Sequence, residues 1–145
     1  MSFHQHELLE TLSSPIAADI IKVFHPDSTF IQRFETAFRF EGSKIRWDLT
    51  RDHISLTEVQ VDFGVFRSFF SERGRELGSG RTAIYLNDGL VDCALTAPLF
   101  AFERHLNEII SIPAHHYFVA DNLEWCMAYT IERDIDFGWA VQENL

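Results

Sequence analysis

The stretch HYFVADNLEWCMAYTIERDIDFGWAV, residues 116–141, decides the fold of this chain. Three segments in it are rich in aromatic and β-branched residues, as strands are: 116–119, 124–130 and 135–141. Polar residues 121–122 separate the first two segments, and the charged turn 132–134 separates the last two. Connections this short join antiparallel neighbours, because parallel pairing needs a long crossover. The stretch therefore predicts an antiparallel meander of three strands.

The residues before this stretch predict a hairpin and a helix. Residues 82–86 (TAIYL) predict a strand, Asn87-Asp88-Gly89 a tight turn, and residues 91–95 a returning strand. Apolar residues recur at helical spacing over residues 98–110, where Pro98 suits the start of a helix. We therefore expect one helix to be inserted between the hairpin and the meander.

Helices dominate the N-terminal part. Four are predicted, over residues 7–12, 14–24, 28–38 and 62–73. Ser14-Pro15 starts the second helix, and Asp27 or Ser28 caps the third. Gly74 is expected to end the fourth, within a surface loop over residues 72–81. Residues 44–48 alternate apolar and polar side chains and predict a short extended segment.

This order of elements predicts the α+β class: N-terminal helices packed on one face of an antiparallel sheet, with a C-terminal strand meander. The chain has 145 residues, which is the usual size of one domain. We therefore expect residues 1–145 to form a single domain.

The acidic residues are distributed unevenly. Residues 1–81 contain 12 acids and 10 bases, whereas residues 82–145 contain 10 acids and two bases, Arg104 and Arg133. Such a surface repels nucleic acid and anionic membranes, since both need cationic groups for binding. It attracts a basic protein, although the acids could also serve solubility alone.

The sequence predicts a cytoplasmic protein. It has no apolar run long enough to span a bilayer, and residues 1–10 lack the pattern of a signal peptide. Both cysteines, Cys93 and Cys126, lie among apolar residues, which favours buried, reduced thiols. No CxxC spacing indicates a structural zinc site.

Sequence motifs offer little for catalysis. Asp134 and Asp136 share one face of a predicted strand and could hold Mg²⁺, but no third carboxylate is placed to complete a site. His115 and His116 are adjacent, so their side chains should point to opposite sides of a strand. The chain has neither a nucleophile motif nor a phosphate-binding loop. We therefore expect no enzyme, no cofactor and no metal, with a metal-dependent hydrolase as a remaining alternative.

The C-terminal half resembles a known class of binding proteins. The resemblance lies in the TAIYL strand, the Pro98-Leu99 helix start, DNLEWCMAYT (residues 121–130) and ERDIDFG (residues 132–138). This pattern is similar to immunity proteins of bacterial contact-dependent inhibition and related polymorphic toxin systems. The resemblance implies a protein that binds the C-terminal domain of a cognate toxin, often a basic nuclease, and blocks it.

These observations predict a protein-binding surface on the second half of the chain. Acids would steer and contact the partner, and two tryptophans among them would be anchors unless they belong to the core. The expected partner is a cognate toxin domain, without nucleic acid or membrane, and the protein would be a monomer or weak dimer. A general adaptor and an oligomerisation domain are alternatives. The predicted contact residues are Asp88, Asp92, Asp121, Glu124, Trp125, Glu132, Asp134, Asp136 and Trp139.

Overall fold

A computed structural model describes residues 2–42, 44–57, 63–88 and 93–141. Its helices are α1 (Phe3–Thr11), α2 (Ser13–Ala17), α3 (Ser28–Phe38), α4 (Phe63–Leu77), α5 (Leu99–Arg104) and α6 (Leu106–Ile110), with a 3₁₀ turn at Trp47–Leu49. Its strands are β1 (Lys22–Phe24), β2 (Phe40–Glu41), β3 (Lys44–Ile45), β4 (Arg51–Leu56), β5 (Thr82–Asn87), β6 (Ala94–Pro98), β7 (His116–Ala120), β8 (Trp125–Tyr129) and β9 (Ile135–Trp139). None of these helices has the length and apolarity needed to cross a membrane.

Seven strands form one antiparallel sheet in the order β1-β6-β5-β7-β8-β9-β4. The predicted meander is confirmed as β7, β8 and β9, with Tyr129 paired to both His116 and Ile135. The short β2 and β3 form a separate hairpin. The α+β class with N-terminal helices and a C-terminal meander is thus confirmed.

Helical elements cover both faces of the sheet, whereas we expected them on one face. Phe66 and Phe70 of α4, with Phe102 of α5, pack on one face. Phe34 and Phe38 of α3 pack on the opposite face. The reason lies in the central strands, because all five residues of β7 and all five of β8 are buried. A strand that is apolar on both sides needs a cover on both sides.

The second helix, predicted over residues 14–24, is shorter than expected. Its helical part, α2, ends at Ala17, and Lys22–Phe24 is instead a strand paired with β6. Asp19 has a positive φ of 61°, which turns the chain out of the helix. The third helix is as predicted, since the Asp27 carboxylate caps it by accepting from the Phe30 N–H at 2.8 Å.

Three predicted boundaries also differ. Helix α4 continues through the buried Gly74 to Leu77, and Gly78, with a φ of 103°, follows its end. The helix expected over residues 98–110 is divided into α5 and α6 at His105, whose N–H bonds to the Phe102 carbonyl at 3.2 Å. Strand β6 starts at Ala94 instead of residue 91. Residues 89–92, which include Gly89 of the predicted turn and the first two residues of the predicted strand, lie outside the described residues.

Candidate functional site

The sheet brings the predicted contact residues to its two ends. Asn87 pairs with His116, His116 with Tyr129, and Tyr129 with Ile135, so the chain segments beyond these residues share one end. We call this the acidic end and define it by Asp88, Glu132 and Asp134. Asp121 and Glu124 lie at the opposite end. The two ends are about 17 Å apart, because the intervening β7 has five residues.

A histidine lies between two of the carboxylates at the acidic end. The His115 Nε2 lies 3.7 Å from Asp88 Oδ2, and its Nδ1 lies 3.8 Å from Glu132 Oε2. Nδ1 accepts the Ile131 N–H at 3.2 Å, so the neutral ring carries its hydrogen on Nε2, towards Asp88. Asp88 Oδ1 also accepts the His115 backbone N–H at 2.9 Å. These contacts hold Asp88, His115 and the β8–β9 turn together.

Glu132 is exposed and remains ionised at neutral pH. Its own backbone N–H, the neighbouring His115 ring and the Thr130 hydroxyl hold the pKa of the Glu132 carboxyl below its usual range, against an opposing effect of desolvation. Its side chain is 53% exposed, so the charge is available to a partner. Cations also lie here, since Lys44 lines the same pocket as Glu132 and Arg133 is in the same turn.

Asp134 and Asp136 line one small pocket but have different surroundings. The pocket has a volume of about 140 Å³ and also contains Lys44, Trp47 and Glu132. Asp134 is half-buried, and its N–H donates to the Thr130 hydroxyl at 3.0 Å.

Asp136 belongs to a pair of interacting side chains that the sequence did not indicate. It is only 6% exposed and bonds through Oδ1 to His53 Nε2 at 2.9 Å. The His53 ring stacks on Trp47 at 5.6 Å with an interplanar angle of 12°. Asp136 is therefore a poor steering group, in contrast to its predicted role.

The remaining predicted residues do not join the acidic end. Trp125 is fully buried in the core on the α4 side of the sheet, so its predicted role as a surface anchor is wrong. Trp139 is half-buried and packs edge-on against Phe137 at 5.9 Å. Glu124 lies 3.8 Å from Arg81, which offsets its charge. Asp92 lies outside the described residues.

His116 belongs to a buried hydrogen-bond chain on the opposite face from His115. The Tyr85 hydroxyl donates to His116 Nδ1 at 2.7 Å, and His116 Nε2 donates to the Ile112 carbonyl at 2.9 Å. Asn87 donates to the Tyr85 oxygen at 3.0 Å. Burial lowers the pKa of His116 to about 4 and raises the pKa of Tyr85. Both ring nitrogens are engaged, so this histidine has no lone pair to offer a ligand.

The acidic end presents charged and hydrogen-bonding groups, but the described residues form no metal site. Among residues 2–42, 44–57, 63–88 and 93–141, no group of three or more His, Cys, Asp or Glu could hold a metal ion. Cys93 and Cys126 lie in the cores on opposite faces of the sheet, and burial raises the pKa of the Cys126 thiol.

Sequence reasoning missed His115 as the residue between the carboxylates, and it also missed His53. The position of His115, directly before a strand and after a proline-containing loop, was a weak signal for it. The partner of His53 lies 83 residues away in sequence, so only the strand register reveals it.

Neither a protein-family model nor a curated protein sequence matches this chain. Its function is therefore inferred from the arrangement of its own residues.

Proposed function

We propose that this protein is an immunity protein that binds and neutralises a cognate bacterial toxin domain through its acidic end. The observation that carries the proposal is the convergence of Asp88 and Glu132 on His115, with Asp134 in the same turn. Residues distant in sequence thus bring three carboxylates to one surface, where they outnumber the cations Lys44 and Arg133. A protein surface of this kind attracts a basic partner and orients its approach.

The proposed partner is a basic toxin domain, such as a nuclease. A nuclease must bind phosphate groups, so its active site carries positive charge. An acidic surface competes for the same cations and speeds the encounter of inhibitor and toxin. In this proposal the protein acts in the cytoplasm by stoichiometric binding and has no catalytic activity.

The first experiment tests complex formation. The chain is co-expressed with the C-terminal domain of the large protein encoded beside it, the complex is purified, and calorimetry is run at two salt concentrations. We expect a one-to-one complex, rescue of growth from the toxin, and weaker binding at high salt. A folded protein that neither binds the domain nor rescues growth would falsify the proposal.

A general protein-binding adaptor is the second candidate, because the same acidic end would serve it equally well. The two functions differ in their partner. An adaptor would bind a basic protein that does not stop growth, whereas an immunity protein must restore growth when the toxin domain is present. The growth assay therefore separates these two functions.

A further inference from the structure

The turn between β8 and β9, residues 130–134, is a ridge between two concave surfaces. Glu132 and Asp134 line the small acidic pocket on the side of α3. Ile131 and Arg133 line a groove of about 320 Å³ on the other side of the sheet, and Thr130 lines both. Side chains of successive turn residues thus point alternately to the two sides.

Backbone hydrogen bonds fix the shape of this ridge. The Thr130 N–H donates to the Asp134 carbonyl at 3.0 Å, and the Arg133 N–H donates to the Thr130 carbonyl at 2.9 Å. The Asp134 N–H in turn donates to the Thr130 hydroxyl at 3.0 Å. Arg133 has a positive φ of 66°, which closes the turn. A fixed ridge presents both of its sides in one defined arrangement.

The groove combines a buried apolar floor with exposed apolar edges. Ile110, Ile112 and Tyr129 are buried and form its floor. Phe63 and Ile131 form its edges and are 45% and 54% exposed. Large apolar side chains exposed around a concavity are typical of an interaction site.

The size of the groove suits a protein side chain. Sites for drug-sized molecules begin at about 300 Å³, so this groove lies at the lower limit of that class. One bulky apolar side chain, held on two edges by Phe63 and Ile131, fits such a space. Buried anchors of this kind contribute most of the binding energy in protein interfaces.

We propose that the groove receives a bulky apolar side chain of the same basic partner that the acidic end attracts. This inference rests on the proposed function. The partner straddles the ridge, with a basic group facing Glu132 and Asp134 and an apolar group beside Ile131. Charge complementarity selects this occupant, because the carboxylates of Glu132 and Asp134 lie across the ridge and outnumber Arg133, the cation that lines the groove. A second copy of this chain would bring a like-charged acidic end and be repelled.

The test compares Ile131→Ala with Phe100→Ala in complexes with the partner domain that the co-expression experiment tests. Phe100 is the matched control, since it is 50% exposed and lines a different cleft, beside Pro15 and Arg104. We expect Ile131→Ala to raise the dissociation rate about tenfold and to leave the association rate within about twofold. Phe100→Ala should leave both rates unchanged, and urea unfolding of the free variants verifies that both fold.

The outcomes separate this inference from the function on which it rests. If Glu132→Lys weakens the complex while Ile131→Ala and Phe63→Ala do not, the groove proposal is overturned and the proposed function stands. If the wild-type protein forms no complex, both are overturned. If Ile131→Ala instead abolishes self-association of the free protein in sedimentation, a second copy occupies the groove and the proposal is wrong. Raised dissociation rates for both Ile131→Ala and Phe63→Ala support the groove proposal.

Discussion

At the scale of single residues, His116 shows how burial converts a titratable group into a structural one. It is 2% exposed, and its two ring nitrogens bond to the Tyr85 hydroxyl and the Ile112 carbonyl. Protonation would add a donor at Nδ1, where the ring now accepts the Tyr85 hydrogen. The folded protein therefore favours neutral His116, and its stability depends on pH.

We expect stability to fall as the pH decreases from about 6.5 to 4. The pKa of His116 is about 4 in the folded protein and 6.5 in the unfolded chain, so the unfolded chain binds the proton more readily in this range. The contribution of neutral His116 to the free energy of unfolding is present above the unfolded pKa of 6.5. It decreases by about 2 kcal/mol between pH 7 and pH 5. Urea unfolding at these two pH values measures it.

His116→Gln should remove most of this pH dependence, because the titrating group is gone while a side-chain amide remains. His25→Gln, at an exposed position, is the control and should behave as the wild type. An unchanged difference between pH 7 and pH 5 in His116→Gln would assign the effect to other groups.

At the scale of elements, Gly138 allows the 3₁₀ turn Trp47–Leu49 and the following residue, Thr50, to lie directly against β9. A Cβ at position 138 would meet the Thr50 hydroxyl at a forbidden distance and would lie 2.8 Å from Thr50 Cβ and 3.3 Å from Trp47 Cε3. Thr50 cannot move away easily, because its hydroxyl donates to the Trp47 carbonyl at 2.6 Å. The contact between β9 and the 3₁₀ turn therefore requires a residue without a Cβ, glycine, at position 138.

Gly138→Ala should destabilise the fold by about 1–3 kcal/mol, as overpacking does elsewhere. Gly80→Ala is the matched control, since no heavy atom lies within 4 Å of its added carbon and its φ is not positive. Urea midpoints of the two variants and the wild type give the comparison. Equal midpoints for Gly138→Ala and Gly80→Ala would show that the turn adjusts without cost.

The elements also show what local sequence determines. The meander was predictable because short polar turns separate apolar segments, and α3 was predictable from the Asp27 cap. Strand β1 was not, since Lys22–Phe24 continues an apolar pattern that fits a helix equally well. Its strand conformation comes from pairing with β6, some seventy residues later, and long-range pairing of this kind leaves no local signal.

At the scale of the whole molecule, the register of the strands divides the acids into two groups. Sequence alone could identify an acidic second half, and its predicted meander already has the turns of Asp121 and Glu132 at opposite ends, but it could not place Asp88 and Glu132 beside His115. Nor could it show that Asp136 is bonded to His53 or that Trp125 is buried. Those facts depend on which strands are neighbours, and the order β5-β7-β8-β9-β4 is a property of the complete sheet.

This division predicts different effects of charge reversal at the two ends. At about 0.1 M salt the Debye length is about 10 Å, which is shorter than the separation of the ends. Glu132→Lys should therefore lower the association rate with the toxin domain about tenfold and reduce its salt dependence. Asp121→Lys, the same charge change at the opposite end, should alter the rate less than about twofold.

Stopped-flow association at several salt concentrations measures both effects. A larger effect of Asp121→Lys than of Glu132→Lys would move the contact surface to the opposite end. Equal effects would mean that net charge alone steers the encounter.

The order of strands also has a consequence for how the molecule is made. The two outermost strands, β1 and β4, come from the N-terminal half, and each pairs only with a strand much later in the chain. At about 5–20 residues per second, β4 waits on the order of ten seconds for the ribosome to complete β9. Phe34 and Phe38 of α3 wait a shorter time, because Ile84 of β5 and Tyr117 of β7 belong to the same core cluster and are made before β9. In the growing cell, therefore, β1, β6 and β5 can pair before the central strands β7 and β8 are made, whereas β4, although synthesised early, is incorporated last.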